Sequence, residues 1–184
     1  MSLIYRHDDG ELIKMKHMTI NGIGGKVHYW ISRPNNNSKG ALVFTHGLTA
    51  NHTMYEKQVE YFKNDYVVIT WDVPLHGLSI PYKEFSYEIT ARDLNSILLQ
   101  ESIGKVCLIG MSMGGYPSQM LAYLYPEKVQ CFVGIDTTPF RTEYYSRSDL
   151  WWLSKVKKMA KWFPDKTLRK SMAKSVAVTD YSYN

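Results

Sequence analysis

Apolar and polar residues follow two different spacings along the chain, and each spacing predicts a different kind of element. Residues 11–20 (ELIKMKHMTI) and 26–32 (KVHYWIS) flank the turn NGIGG, which is rich in asparagine and glycine. This arrangement predicts an antiparallel pair of strands. Four short apolar runs follow, each typical of a buried strand, at residues 41–47, 66–73, 105–110 and 129–136.

Segments with helical spacing lie between the buried strands. Residues 52–64 predict one helix, and residues 86–102 predict a second helix whose apolar side chains lie near one face. The residues of that face are Ile89, Leu94, Ile97 and Leu98. Repetition of strand, helix and strand predicts an α/β fold, with a mostly parallel sheet, an antiparallel pair at its N-terminal end and helices on both sides.

Each of the four buried strands is followed by a loop that carries polar or glycine residues. The loops have the sequences HGLTAN, DVPLHGLS, GMSMGG and DTTPF. Because ligands bind beyond the carboxyl ends of the strands in parallel sheets, we expect a site where these loops meet.

Composition and charge exclude several classes of protein. The 184 residues are 45% apolar, which is enough to form a core and argues against disorder. The net charge is +5, but residues 1–140 hold 12 basic and 13 acidic side chains, so the excess lies in residues 141–184. No helix-turn-helix, zinc or aromatic RNA-binding signature accompanies this basic segment, and we predict no nucleic-acid partner.

The sequence also bears on compartment and on metal chemistry. No apolar run is long enough for a spanning helix and no leader pattern is present, so we predict no stable membrane insertion and a cytoplasmic location. Cys107 and Cys131 both lie inside apolar runs, where a buried thiol is favoured over a disulfide or a metal ligand. The glycine-rich turn at residues 21–25 is no phosphate loop, because no Lys-Ser or Lys-Thr follows it. We predict neither a metal nor a cofactor.

The segment from Gly110 to Gly114 matches the pattern G-x-S-x-G, directly after a predicted strand and directly before an apolar helical segment. In this context the pattern predicts a nucleophile elbow, with Ser112 in a sharp turn whose glycines let strand and helix approach each other. Pro117 fits the first turn of the following helix. The alternative is a glycine turn with a purely structural role.

With two further loops, this motif resembles the α/β-hydrolase superfamily. FTHGLT at residues 44–49 is similar to the family's His-Gly loop, and DVPLHGLS at residues 72–79 is similar to its D-x-P-G-H-G-x-S loop, with Leu75 in place of a glycine. The resemblance implies that Ser112 is the nucleophile. It also implies that the backbone N–H groups of Leu48 and Met113 form an oxyanion hole.

The candidates for a substrate pocket are His46, Met111, His52 and Trp152. His46 and His76 are more often structural residues in such loops, and His52 is more often a solvated residue in the first turn of a helix. Trp152 belongs to an apolar stripe that either roofs an acyl pocket, contacts a membrane or packs on the sheet as an ordinary helix. Residues 1–140 are therefore expected to form the hydrolase core, and residues 141–184 a helical cap.

The general base of such an enzyme is missing from the sequence. In the family the chain order is serine, acid and histidine, but all six histidines lie at or before His76. Asp136, at the end of a predicted strand, is the candidate acid, with a loop-organising role as the alternative. We expect the last strands and the histidine of the fold to lie outside these 184 residues. The alternatives are a short product that self-associates through an exposed sheet edge, and a rearranged fold.

The predicted function is that of a serine hydrolase. It would act on small-molecule carboxylic esters or related acyl compounds through an acyl-enzyme on Ser112. The alternative is an α/β-hydrolase-like module that binds a ligand without turnover, or an inactive fragment.

Overall fold

A computed structural model describes residues 2–6, 12–148, 150, 151 and 155. The chain divides between Phe140 and Arg141 into two compact units. In the second unit, the described residues include a 3₁₀ turn at Thr142–Tyr144. Trp152 lies outside the described residues, so its place in a cap over the site stays a prediction from the sequence.

Seven strands of the described chain form one sheet. The strands are β1 (Ser2–Arg6), β2 (Leu12–Asn21), β3 (Lys26–Ser32), β4 (Ala41–Thr45), β5 (Val67–Trp71), β6 (Val106–Met111) and β7 (Val129–Ile135). Their order is β1-β2-β3-β5-β4-β6-β7. The first three strands are antiparallel, β3 pairs antiparallel with β5, and β5, β4, β6 and β7 are parallel. The predicted α/β fold with an antiparallel N-terminal part is confirmed, and β1 is an additional strand that we did not predict.

Three α-helices connect the strands, α1 (Glu56–Phe62), α2 (Tyr87–Gln100) and α3 (Gly115–Leu124). The predicted helix at residues 52–64 is observed as a 3₁₀ turn, His52–Tyr55, followed by α1. The N-terminus of α2 is capped by Ser86, whose hydroxyl accepts a hydrogen bond from Ile89 N at 3.0 Å. Both predicted helices therefore form between the strands where they were expected.

The helices cover both faces of the sheet. Side chains of a strand alternate between its two faces, so a wholly apolar strand places apolar surface on both of them. On β4, Leu42 and Phe44 pack in the same apolar cluster as Val59 of α1. Val43 lies in the other cluster, which contains Leu94 of α2 and further side chains of α2 and α3. The result is a three-layer arrangement in which the carboxyl ends of the parallel strands all lie at one edge.

The strand β7 forms one side of the described sheet and pairs with β6 alone. Its apolar side chains are exposed, with Phe132 at 36%, Val133 at 49% and Ile135 at 42%. None of the described helices has the length and apolar character needed to cross a membrane.

The structure joins Cys107 of β6 to Cys131 of β7 in a disulfide. The two residues are partners in the parallel register, with their Cα atoms 4.6 Å apart. The expectation of two separate buried thiols is therefore wrong. Cys107 is half-buried and Cys131 is exposed, so the apolar runs predicted neither their burial nor the residue that lies opposite on the next strand.

Candidate active site

The serine of the G-x-S-x-G pattern lies between β6 and α3. The strand β6 ends at Met111, a 3₁₀ turn spans Ser112–Gly114, and α3 begins at Gly115. Ser112 is half-buried and has a φ of +48°. A residue with a side chain rarely adopts this left-handed conformation, and such strained residues cluster at functional sites. Ser112 thus occupies the sharp strand-to-helix turn that the motif predicts.

The motif glycines lie where the backbone segments come closest. A Cβ atom on Gly110 would lie 2.5 Å from the carbonyl oxygen of Gly114. A Cβ atom on Gly114 would lie 2.2 Å from the carbonyl oxygen of Thr45 and 2.5 Å from that of His46. All three distances are shorter than real Cβ contacts, so glycine at both positions lets the strand, the turn and the end of β4 lie this close together.

The loop after β4 lies directly against Ser112. A Cβ atom on Gly47 would be 3.7 Å from Ser112 Cβ, and Leu48, the next residue, is 55% exposed. Met113 follows Ser112 in the first turn of the helical segment, where backbone N–H groups have no partner within the helix. The structure therefore brings the loop after β4 next to the elbow, and the role of Leu48 and Met113 as oxyanion donors stays a prediction.

His46 is held in the protein interior by two hydrogen bonds. Its Nε2 accepts from Val73 N at 3.1 Å, which places the ring proton on Nδ1, and Nδ1 donates to the Gly47 carbonyl oxygen at 2.8 Å. Burial lowers the pKa of His46 from 6.5 to about 4. The side chain of His46 is fully buried, and its place in the lining of a substrate pocket stays a prediction. Through these two hydrogen bonds His46 joins the loop after β4 to the end of β5. This is the structural role that the sequence analysis named as the more frequent one.

The burial of neutral His46 makes the stability of the protein depend on pH. The unfolded chain takes up a proton near pH 6.5, whereas folded His46 does so near pH 4, so lowering the pH favours the unfolded state. At pH 4.5 we expect a loss of about 2–3 kcal/mol in the free energy of unfolding from this residue. Urea titrations between pH 7 and 4.5 measure it. His46→Gln cannot titrate but can still accept from Val73 N, and an equal pH slope in this variant would contradict the assignment.

His52 is paired with Asp72 beneath the loops. Oδ1 of Asp72 accepts hydrogen bonds from both the backbone N and the ring Nδ1 of His52, each at 2.8 Å, and Oδ2 accepts from Leu78 N at 2.7 Å. The His52 ring stacks on Trp30 with 3.3 Å between ring centroids. His52 is buried, so the expectation of a solvated residue is wrong, while its place at a pocket entrance stays a prediction.

Asp72 is a fully buried carboxylate that organises two loops. Burial acts to raise its pKa, but the hydrogen bonds from His52 and Leu78 outweigh this effect and hold the pKa of Asp72 below its ordinary value. Its partners lie in the loops after β4 and β5, so one ionised side chain joins both loops. Asp72 is the first residue of the motif DVPLHGLS, but no role was predicted for it from the sequence. An aspartate directly after a buried strand was the available signal.

Three residues of the loops remain, Met111, His76 and Asp136. Met111 is half-buried and packs against the apolar cluster on the α1 face of the sheet. His76 is half-buried, 5.1 Å from His46 between ring centroids, and its Nδ1 bonds to the carbonyl oxygen of Pro74 at 3.2 Å. Asp136 is exposed at the end of β7 with a φ of +47°. Its role as the triad acid stays a prediction.

Thr137 is the residue near Ser112 that sequence reasoning missed. Its hydroxyl donates to the carbonyl oxygen of Ser112 at 2.8 Å. A lone threonine after a strand has no local pattern that distinguishes it from other loop threonines, so no sequence signal could have identified this contact.

The chain matches a protein family and is similar in sequence to two known proteins. The family model for the alpha/beta hydrolase fold matches residues 40–176. The chain is 34% identical over 89 residues to 3-oxoadipate enol-lactonase 2 of Acinetobacter baylyi, which covers 48% of this chain and 33% of that protein. It is 30% identical over 113 residues to the esterase YbfF of Escherichia coli, which covers 61% of this chain and 44% of that protein.

A solved structure gives a similar result. The thermophilic esterase from Thermogutta terrifontis superimposes with a TM-score of 0.58 at 24% sequence identity, over 70% of this chain and 48% of that one. Identity at this level shows a shared fold. The chain spans less than half the length of each of these relatives.

Proposed function

Because the chain belongs to the alpha/beta hydrolase fold family, we propose that it carries the nucleophile of a serine hydrolase that cleaves carboxylic esters or related acyl compounds. The observation that carries the proposal is the conformation of Ser112, a non-glycine residue at φ +48° between a parallel strand and a helix. The close approach of the loop after β4 to this residue supports it further. Such a turn presents a hydroxyl at the edge of the sheet where ligands bind.

In the proposed reaction, Ser112 Oγ attacks the carbonyl carbon of an ester while its proton passes to a general base. The carbonyl oxygen becomes an oxyanion, to which the backbone N–H groups of Leu48 and Met113 donate. Collapse of this intermediate breaks the bond to the alcohol, which leaves with the proton from the base, and forms an acyl-enzyme. Water then attacks the acyl carbon while the base takes its proton, and the base returns this proton to Ser112 Oγ as the acid is released. Removal of one donor of this kind costs about 2.7–4 kcal/mol of transition-state stabilisation.

The general base is proposed to be a histidine outside these 184 residues. Both ring nitrogens of His46 are engaged within the fold, and His52 is buried between Trp30 and Asp72. His17 and His28 bond to each other across β2 and β3, with 2.9 Å between Nε2 and Nδ1. These contacts support a base from elsewhere in the protein.

The substrate is proposed to be an oxygen ester with an apolar acyl group. The names of the relatives, an esterase and an enol-lactonase, support ester chemistry. The exposed side chain of Leu48 lies in the loop beside Ser112 and supports an apolar group at the reacting carbonyl.

Two further expectations concern self-association and location. We propose that the exposed apolar side chains of β7 support self-association of the chain, because an unpaired strand edge readily takes up another strand. A cytoplasmic location remains a prediction from the sequence.

Labelling of the full-length gene product with a fluorophosphonate probe tests the proposal. The wild type is expected to react at Ser112, because an activated serine attacks the probe as it attacks an ester. Ser112→Ala should lose the label, while Ser96→Ala, which changes an exposed serine of α2, should keep it. Wild-type labelling no stronger than that of Ser112→Ala would refute the hydrolase and favour a binding module without turnover.

A further inference from the structure

We propose that Thr137 is a positioning residue for the oxyanion hole. Its hydroxyl holds the peptide group between Ser112 and Met113, and thereby sets the direction of the Met113 N–H. The inference rests on the proposed acyl chemistry of Ser112, and it adds a residue that lies outside the G-x-S-x-G motif and on a different strand connection.

Thr137 makes a direct contact with the elbow. Thr137 Oγ1 donates to the carbonyl oxygen of Ser112 at 2.8 Å across 25 residues of sequence. The same oxygen also accepts from the backbone N–H of Gly115. A carbonyl oxygen has two lone pairs, so these two donors satisfy it from two directions.

The side chain of Thr137 is closely enclosed. A Cβ atom on Gly115 would lie 2.2 Å from Thr137 Oγ1, and a Cβ atom on Gly134 would lie 2.7 Å from Thr137 Cγ2. Thr137 therefore occupies space that two glycines leave open, between the start of α3 and the end of β7. A β-branched side chain enclosed in this way has little freedom about its χ1 angle, so its hydroxyl keeps one direction.

The peptide group between Ser112 and Met113 is planar. In a trans peptide, the C=O of one residue and the N–H of the next point in opposite directions. A hydrogen bond that draws the Ser112 oxygen toward Thr137 and Gly115 therefore turns the Met113 N–H to the opposite side. Ser112 holds a strained φ of +48°, and such a conformation persists only where the surroundings maintain it. Thr137 supplies part of that restraint from the loop after β7.

Thr137 acts through Met113 and is not expected to contact a substrate, since its hydroxyl is already engaged with the backbone. An oxyanion donor matters most in the transition state, where the negative charge has developed. Loss of the Thr137 hydroxyl should therefore lower kcat and leave KM unchanged.

The experiment compares three variants of the full-length protein. Thr137→Val keeps the shape and removes the hydroxyl, and we expect kcat for an ester to fall about tenfold at unchanged KM, the effect of one hydrogen bond. Thr137→Ser retains the hydroxyl and should stay within about twofold of the wild type. Thr138→Val is the matched control, because the neighbouring hydroxyl bonds to Tyr116 at 2.9 Å instead of to the elbow. Its kcat should be unchanged.

A second measurement is independent of activity. Amide hydrogen exchange of the segment from Gly110 to Gly115 should be about tenfold faster in Thr137→Val and unchanged in Thr137→Ser and Thr138→Val. Wild-type kcat together with wild-type exchange in Thr137→Val would overturn the proposal, as would a loss in Thr137→Ser as large as that in Thr137→Val. If the wild type neither labels nor turns over ester, the proposed function fails, and the exchange rates alone then decide whether Thr137 holds the elbow.

Discussion

Replacement of Gly114 by alanine is expected to destabilise the protein by about 3 kcal/mol or more, the upper end of the cost of forcing extra atoms into a packed interior. The added Cβ would lie 2.2 Å from the Thr45 carbonyl oxygen and 2.5 Å from that of His46. Both are backbone atoms at the end of β4, so neither can rotate away. Because native domains are stable by only about 5–15 kcal/mol, a large share of the stability is lost.

Urea unfolding of the purified variant measures this effect, and Gly104→Ala is its matched control. A Cβ atom on Gly104 would meet nothing within 4 Å, and its φ lies outside the left-handed region. We expect a change of less than about 0.5 kcal/mol for the control. An unfolding free energy of Gly114→Ala as close to the wild type as that of Gly104→Ala would show that the elbow does not pack against β4 in this way.

Replacement of Asp72 by asparagine is expected to cost about 3 kcal/mol, because it alters a buried, hydrogen-bonded carboxylate. The two oxygens of Asp72 accept from three N–H groups, two of His52 and one of Leu78. Asparagine has a single oxygen, so its NH₂ group must face one of these donors in a region closed to water. The loops after β4 and β5 then lose their common restraint.

Asp65→Asn provides the comparison for this variant. Asp65 is 55% exposed and pairs with Lys39 at 3.1 Å. Exposed ion pairs contribute about 0–1 kcal/mol, so we expect little change. Thermal unfolding of both variants decides the matter, and the interpretation fails if Asp72→Asn is no less stable than Asp65→Asn. In an active protein, Asp72→Asn should also lower kcat/KM, since Leu48 lies in one of the loosened loops.

The elements around the site could be predicted because their signals are local. The apolar run of β6, the pattern from Gly110 to Gly114 and the helical spacing that follows are contiguous in sequence. A strand, a sharp turn and a helix impose their requirements on neighbouring residues, so the strained conformation of Ser112 was expected before its φ was known. The same reasoning located α1 and α2.

The polar contacts around the site could not be predicted in this way. His46 and His52 were both considered as pocket residues, and both are buried with defined partners. The partner of His52 is Asp72, 20 residues further along the chain, and the partner of the Ser112 carbonyl oxygen is Thr137, 25 residues away. The disulfide between Cys107 and Cys131 depends in the same way on the register of β6 and β7.

The sequence by itself determined the α/β class of the fold, the position of the elbow and the identity of its serine. Hydrophobic spacing and turn geometry depend on residues that are close together in the sequence, so both can be recognised from the sequence itself. Only the tertiary structure decided which loops meet, which histidines are buried and which hydroxyl reaches the Ser112 peptide. Those contacts depend on strand order and register, which arise from the packing of distant segments.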